Sequence, residues 1–216
     1  MADKVFADYR RYLLYSLLSS IMHPALHQFL RQFPLLNNQE QSLIAEQLCV
    51  EETRKGEVLL KEGEISSRCY FILKGCIRQY CTTDDGEITH EKTVEFFTEG
   101  QAVVLFSDYG QNTPSKFGFI CAEDCTLIVG NVAHEQIMYQ QFPKLLTITR
   151  SMLEANFGKT QEDFAAFITS SPEERYQRLL TTRPELFQRV PQHQIASYLG
   201  MTPESLSRIR RRLAHK

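Results

Sequence analysis

The sequence predicts an α+β chain: an N-terminal antiparallel β-roll of the jelly-roll kind with flanking helices, then a long helix, then a C-terminal helix-turn-helix. Three features point to it. Short β-rich runs between Arg54 and Gly130 are punctuated by Gly56, Gly63, Gly75, Gly86 and Gly100, the texture of a compact antiparallel roll. Apolar or small residues then recur three and four apart from Leu146 to Phe167, a helical period held over about six turns. Last, "QIASYLGMTPESLSRIRRRL" (Gln194–Leu213) sets a small residue, a glycine and a Thr-Pro ahead of an arginine-dense helix. The boundaries drawn on these signals are 1–142 for the roll with its N-terminal helices, 143–170 for the long helix and 171–216 for the helix-turn-helix domain.

Residues 1–33 have helical spacing at Val5, Phe6, Tyr9, Leu13 and Leu17, interrupted by Pro24 and then Pro34. In "NNQEQSLIAEQLCVEET" a short stripe of Leu43, Ile44 and Leu48 follows. Within the roll, "TDDGEI" predicts a tight hairpin, because Asp-Gly tolerates the positive φ such turns need. An irregular loop, "FSDYGQNTPSKFG", precedes the last β segment, "FGFICAEDCTLIVG". The long helix carries Leu146, Thr149, Leu153, Phe157, Thr160, Phe164 and Phe167 on one seam, with Gly158 weakening it locally. One buried helix packed on the roll could use such a seam. Its length favours pairing with the same helix of a second subunit, so a homodimer is expected. "SSPEERYQRLL" starts the next helix, with Ser170 or Ser171 as cap and Pro172 in its first turn, and "TTRPELFQRVP" links it to the final module.

Charge is distributed unevenly along the chain. The net charge is −2, yet residues 171–216 hold nine Lys or Arg against four acids, a balance of +5, which leaves −7 on the other 170 residues. An acidic body with a basic C-terminal module suggests a polyanion as partner of that module. The most apolar early run, "YLLYSLLSSIM" (Tyr12–Met22), is too short for a membrane span and lacks a cleavage site, so no membrane association and a cytoplasmic location are expected. The six cysteines (49, 69, 76, 81, 121 and 125) fall mostly in β segments, where a free thiol acts as a small hydrophobe. Neither they nor His23, His27, His90 and His134 have the spacing of a metal or haem site, so neither metal nor cofactor is expected. With no phosphate loop, Gly-x-Ser-x-Gly elbow or paired acids, no enzyme and no catalytic residue are expected.

The last two helices divide at Gly200–Met201, with Gln192–Leu199 before the turn and Pro203–Leu213 after it, Thr202 as N-cap and Pro203 at the first position. Ala196 is small where the helices cross, and Gly200 suits a left-handed turn. Ile195, Leu199, Met201, Leu206 and Ile209 face inward, which leaves Glu204, Ser205, Ser207 and Arg208 outward at the start of the second helix. In a helix-turn-helix that end enters the major groove. There Arg can donate twice to guanine, Glu can accept from cytosine and Ser can bond either way. Arg210, Arg211 and Arg212 lie further along and suit phosphates. An intrahelical Glu204–Arg208 ion pair is the alternative role for those two residues, and it is compatible with base reading because it holds the arginine extended.

In these residues the chain resembles the CRP/FNR family of bacterial transcription regulators over roughly 25–216. The likeness runs through the roll ("KGEVLLKEGE", "CYFILKGCIRQY", "DDGEI"), the strand "AEDCTLIV", the long helix and the helix-turn-helix. "ESLSR" (Glu204–Arg208) is similar to the Glu-x-x-Ser-Arg recognition motif of the FNR branch. The resemblance implies Glu204, Ser207 and Arg208 as base readers of a TGA-containing half-site on double-stranded DNA. Thr202, Ser205, Arg210, Arg211 and Arg212 are the expected phosphate contacts. Pro203 stands where relatives place a longer side chain. A cyclic-nucleotide-binding-domain-like sensor is implied too, but Leu105 falls near the family's ribose-binding Glu and Ser115 near its phosphate-binding Arg, with Lys116 one residue along. Without that acceptor and that bidentate clamp, cyclic-nucleotide binding is expected to be lost. Leu105, Ser115 and Lys116 then mark a pocket for an unidentified small-molecule effector. RNA polymerase is a further implied partner. The competing expectation is a small-molecule or cyclic-nucleotide sensor that acts through protein–protein contacts.

Overall fold

The computed structural model describes residues 23–84, 89–105, 109 and 112–214. Among the described residues eight strands form the roll: β1 (Cys49–Thr53), β2 (Val58–Leu60), β3 (Cys69–Lys74), β4 (Ile77–Asp84), β5 (Thr89–Phe97), β6 (Ala102–Val103), β7 (Gly118–Cys121) and β8 (Cys125–Gly130). They make two antiparallel four-stranded sheets, in the orders β1-β8-β3-β6 and β2-β7-β4-β5. Period-two alternation decides which side chains enter the roll. Tyr70, Ile72, Leu127 and Val129 of the first sheet meet Ile77, Phe119 and Cys121 of the second, while Phe71, Leu73 and Ile128 point out of the roll toward helices. Gly75 is needed for close approach: its φ is +112°, and a methyl group there would sit 2.5 Å from the Cys125 sulfur. Residues 85–88 of the expected "TDDGEI" hairpin lie outside the described residues, and the flanking strands pair up to Asp84 and Thr89.

Helices α1 (Pro24–Leu30) and α2 (Asn38–Gln47) cover the outer face of the first sheet. The Phe29 ring lies 4.6 Å from Phe71 and 5.0 Å from Phe33. A capping box fixes the start of α2: the Asn37 side chain accepts from the Glu40 amide while Glu40 accepts from the Asn37 amide. Of the expected α2 stripe, Ile44 is buried, Leu48 is half-buried and Leu43 is exposed. After β8 come α3 (Val132–Gln141) and α4 (Pro143–Thr169). Pro143 separates them, since it cannot supply the amide a continuous helix needs.

The 27-residue α4 has no buried residue. Leu145 and Ile148 pack on the cluster beneath the first sheet. Leu146, Phe157, Phe164 and Phe167 stand open to solvent, with Phe157 and Phe164 64% and 65% exposed. The residues grouped as one seam thus divide between two faces, because Thr149 and Leu153 turn toward a cavity against the roll.

The C-terminal part comprises α5 (Pro172–Thr182), α6 (Leu186–Arg189), α7 (Gln192–Tyr198) and α8 (Pro203–Ala214). Ser171 caps α5 through a capping box with Glu174. The segment read as a linker contains α6, whose Leu186 is fully buried. Tyr176, Leu179, Leu186, Ile195, Leu206 and Ile209 form a core continuous with Cys76, Phe96 and Ala122 of the roll. Among the described residues no helix is long and apolar enough to cross a membrane.

Candidate nucleic-acid interface

Helices α7 and α8 are clamped by side chains that the 3.6-residue period turns inward: Ile195, Ala196, Leu199, Leu206 and Ile209 are buried, and Met201 is half-buried. Burying Leu206 and Ile209 contributes about 1.5–3 kcal/mol each. Gly200 has φ +68°, and the Met201 amide donates to Ala196 O at 3.0 Å to close the turn. Thr202 begins α8: its Oγ1 accepts from the Ser205 amide at 3.3 Å and its hydroxyl donates to Ser205 Oγ at 3.2 Å.

Glu204, Ser207 and Arg208 are exposed on the first turns of α8. The Glu204 carboxyl is held below its usual range by its own backbone amide and the Thr202 hydroxyl, with Arg208 the weakest contributor. Among the described residues no ion pair joins Glu204 to Arg208, and none engages Arg210 or Arg211, both exposed. Arg212 is different: its guanidinium pairs with Glu173 and ties α8 back to α5. Thr202 is exposed and Ser205 half-buried, both occupied in the cap. Helix α8 therefore turns outward the Glu204 carboxylate, the Ser207 hydroxyl and the guanidinium groups of Arg208, Arg210 and Arg211, which have no acid partner among the described residues.

Other arginines counted in the basic module face the roll instead. Arg183 donates to Glu95 Oε1 at 3.0 Å and to Phe96 O at 2.7 Å. Arg189 bonds both oxygens of Glu99, at 2.8 and 2.9 Å, and also Glu123. Burial opposes the charge on Arg189, but the hydrogen bonds to the two carboxylates outweigh it and push its pKa up. The Thr93 amide on edge strand β5 donates to Ser197 Oγ at 2.9 Å, and the Tyr198 ring meets Phe96 edge-on at 5.4 Å. Nothing in the local spacing marked Ser197, Arg183 or Arg189 as docking residues, since their partners lie some ninety to a hundred residues away.

In the roll, Leu105 packs half-buried against the interior cluster. Ser115 is buried, its hydroxyl donating to Phe117 O at 2.7 Å and accepting from the Phe117 amide at 3.1 Å. Lys116 is exposed. The three do not come together on either of the two cavities described. All six cysteines are free thiols, four of them buried, and among the described residues no group of three or more His, Cys, Asp or Glu could hold a metal ion.

A model of the cyclic nucleotide-binding domain matches residues 50–137. No curated protein matches the sequence. Among solved structures, the c-di-GMP-responsive global regulator CLP of Xanthomonas campestris is 16% identical with a TM-score of 0.61, covering 78% of this chain and 87% of its own. FixK2 of Bradyrhizobium japonicum is 17% identical at a TM-score of 0.60, covering 78% and 85%. A CooA mutant from Carboxydothermus hydrogenoformans is 16% identical at 0.62, covering 84% and 83%. At these identities the likeness is one of fold. The chain thus carries a cyclic nucleotide-binding domain at residues 50–137, followed by a long helix and a helix-turn-helix, and shares the fold of these three proteins.

Proposed function

We propose that the chain acts as a homodimeric, sequence-specific DNA-binding transcription regulator in the cytoplasm. The observation that carries this is the outward face of α8, where Glu204, Ser207 and Arg208 are exposed at the helix start and Arg210 and Arg211 follow without acid partners among the described residues. Glu204, Ser207 and Arg208 read bases. Arg210 and Arg211 grip phosphates, and Thr202 and Ser205 lie where the cap meets the backbone. Arg212, also assigned to phosphate, must first leave Glu173. Phe157 and Phe164 supply the apolar stripe that pairs with a second copy. Two recognition helices then meet successive major grooves roughly 34 Å apart on a palindrome.

Fluorescence anisotropy on palindromic TGA-containing duplexes against scrambled ones tests the DNA reading. Preference for the palindrome is expected, with Arg208→Ala costing about 1–3 kcal/mol on that site and little on random DNA. Equal, weak binding to both duplexes with the same salt slope overturns it. The sensor has lost cyclic-nucleotide binding in this reading. Leu105 offers the ribose no acceptor, the Ser115 hydroxyl is engaged by Phe117, and Lys116 lacks the guanidinium fork. Calorimetric titration with cyclic AMP and cyclic GMP is expected to give no heat of binding. Micromolar affinity for either overturns this part.

A further inference from the structure

Outside the roll, between the outer face of the β1-β8-β3-β6 sheet and helices α1, α3 and α4, lies a cavity of about 220 Å³. Its walls are chiefly apolar: Phe29 from α1, Phe71 and Ile128 from the sheet, Met138 from α3, and Ile148 and Met152 from α4. No lysine or arginine lines it among the described residues. Leu105, Ser115 and Lys116 are absent from this wall.

Its polar groups gather in one place. The Cys69 thiol donates to Glu135 Oε1 at 3.0 Å, and burial together with the Glu135 charge pushes that thiol up to about 12, so it stays protonated. Beside them stands Tyr109, whose hydroxyl is shielded from solvent and lies close to Cys69 and Glu135 without a well-aligned hydrogen bond among the described residues. Burial, then its Cys69 and Glu135 neighbours, push its pKa upward, so it is a neutral phenol. His134 is held below its usual pKa by burial and is uncharged near neutrality. A buried hydroxyl without a well-aligned partner costs up to about 1–3 kcal/mol, and an occupant carrying one polar group offsets that cost.

Size and charge restrict the occupant. A dry cavity of about 150 Å³ holds one benzene ring, so this one takes roughly ten non-hydrogen atoms. An anion would face Glu135 with no cation on the wall to offset it. We propose that this cavity is a binding site for a small uncharged aromatic alcohol, its rings against Phe71, Ile128 and Met152 and its hydroxyl accepting from Tyr109 and donating to Glu135. The site does not rest on the DNA-reading assignment, and its test uses no DNA.

Fluorescence titration of 2-naphthol into the full chain, with naphthalene as the analogue lacking the hydroxyl, reads the site directly. Saturable binding of one naphthol per chain is expected. Tyr109→Phe is expected to weaken naphthol roughly 5–10-fold and leave naphthalene unchanged, the ratio of one lost hydrogen bond. Met152→Trp fills the space and is expected to abolish binding of both; circular dichroism and the melting curve verify that this variant folds, and Tyr109→Phe carries the test alone if it does not. Absence of saturable naphthol binding to the full chain overturns the proposal, as does binding that Tyr109→Phe leaves untouched.

Discussion

Gly200 holds φ at +68°, and a methyl group there would sit 3.0 Å from the Phe167 ring and 3.1 Å from the Arg175 guanidinium. Arg175 in turn stacks over Phe167 at 4.3 Å. The glycine therefore serves the turn and also the approach of α7 to the end of α4. Gly200→Ala is expected to cost about 1–2 kcal/mol from the left-handed backbone alone, read as a lower midpoint in urea unfolding. That glycine was legible in the sequence because a turn has a local chemical signature. The arginines were not, since nothing local separates Arg208 from Arg189. What separates them is the Glu99 and Glu123 pair that the roll brings to Arg189. Burial works to raise the Glu99 pKa, but the Arg189 guanidinium and the Gly75 amide outweigh it and hold the carboxyl below its usual value of 4.5. A depressed carboxylate stabilises the fold fully above its ordinary value, and that share is lost as pH falls through the lowered folded value. Glu99→Gln is therefore expected to cost about 1 kcal/mol at pH 7, a figure kept small because the pair is partly solvated. The difference from the parent chain should vanish in melting curves taken well below pH 4. A difference that persists there sinks the assignment.

At the scale of the element, α4 shows what periodicity gives and what it withholds. The helix runs Pro143–Thr169, and its three/four spacing made both the helix and an apolar face visible in the sequence. Spacing reports the angle around the helix axis only coarsely, and two neighbouring faces with different partners merge into one stripe. Thr149 and Leu153 belong to the cavity wall, whereas Phe157 and Phe164 lie open. The cavity was invisible for the same reason: its sheet wall comes from Phe71 and Ile128, and only the pairing of β3 with β8 makes them neighbours. If the open stripe meets its copy, a charge placed on it must break the pair without unfolding the chain. Phe164→Glu is expected to raise the dimer dissociation constant at least about 30-fold, the scale of a lost aromatic anchor above 2 kcal/mol. Analytical ultracentrifugation measures this, with circular dichroism unchanged. A parent chain that sediments as a monomer at high micromolar concentration removes the stripe from the interface.

Across the whole molecule, the basic module is not an appendage on a linker. Its core runs on from Tyr176 and Leu186 into Cys76, Phe96 and Ala122 of the roll, and it covers β5, the edge strand of its sheet. An edge strand exposes unpaired amides that invite other chains, and here Ser197 accepts from the Thr93 amide. Around that apolar contact Arg183 and Arg189 bond Glu95, Glu99 and Glu123. The +5 of the module is thus partly neutralised by the acidic body, and among the described residues of α8 the cations without an acid partner are Arg208, Arg210 and Arg211. A core shared across two parts makes them unfold together. The parent chain is accordingly expected to melt in one calorimetric transition. Arg183 is 8% exposed, and removing one member of a buried pair costs about 3–5 kcal/mol by leaving its partner unmatched. In the double variant Arg183→Ala, Arg189→Ala that cost falls on the contact and not on either core, so the module should melt ahead of the roll as a separate, earlier transition. Trypsin should then cut first at Arg175 or Arg178, next to the Ser170–Ser171 break between α4 and α5. Two well-separated transitions already present in the parent chain would show that the shared core does not couple the parts, and the orientation of α8 relative to α4 would then be set by the Ser170–Ser171 break alone.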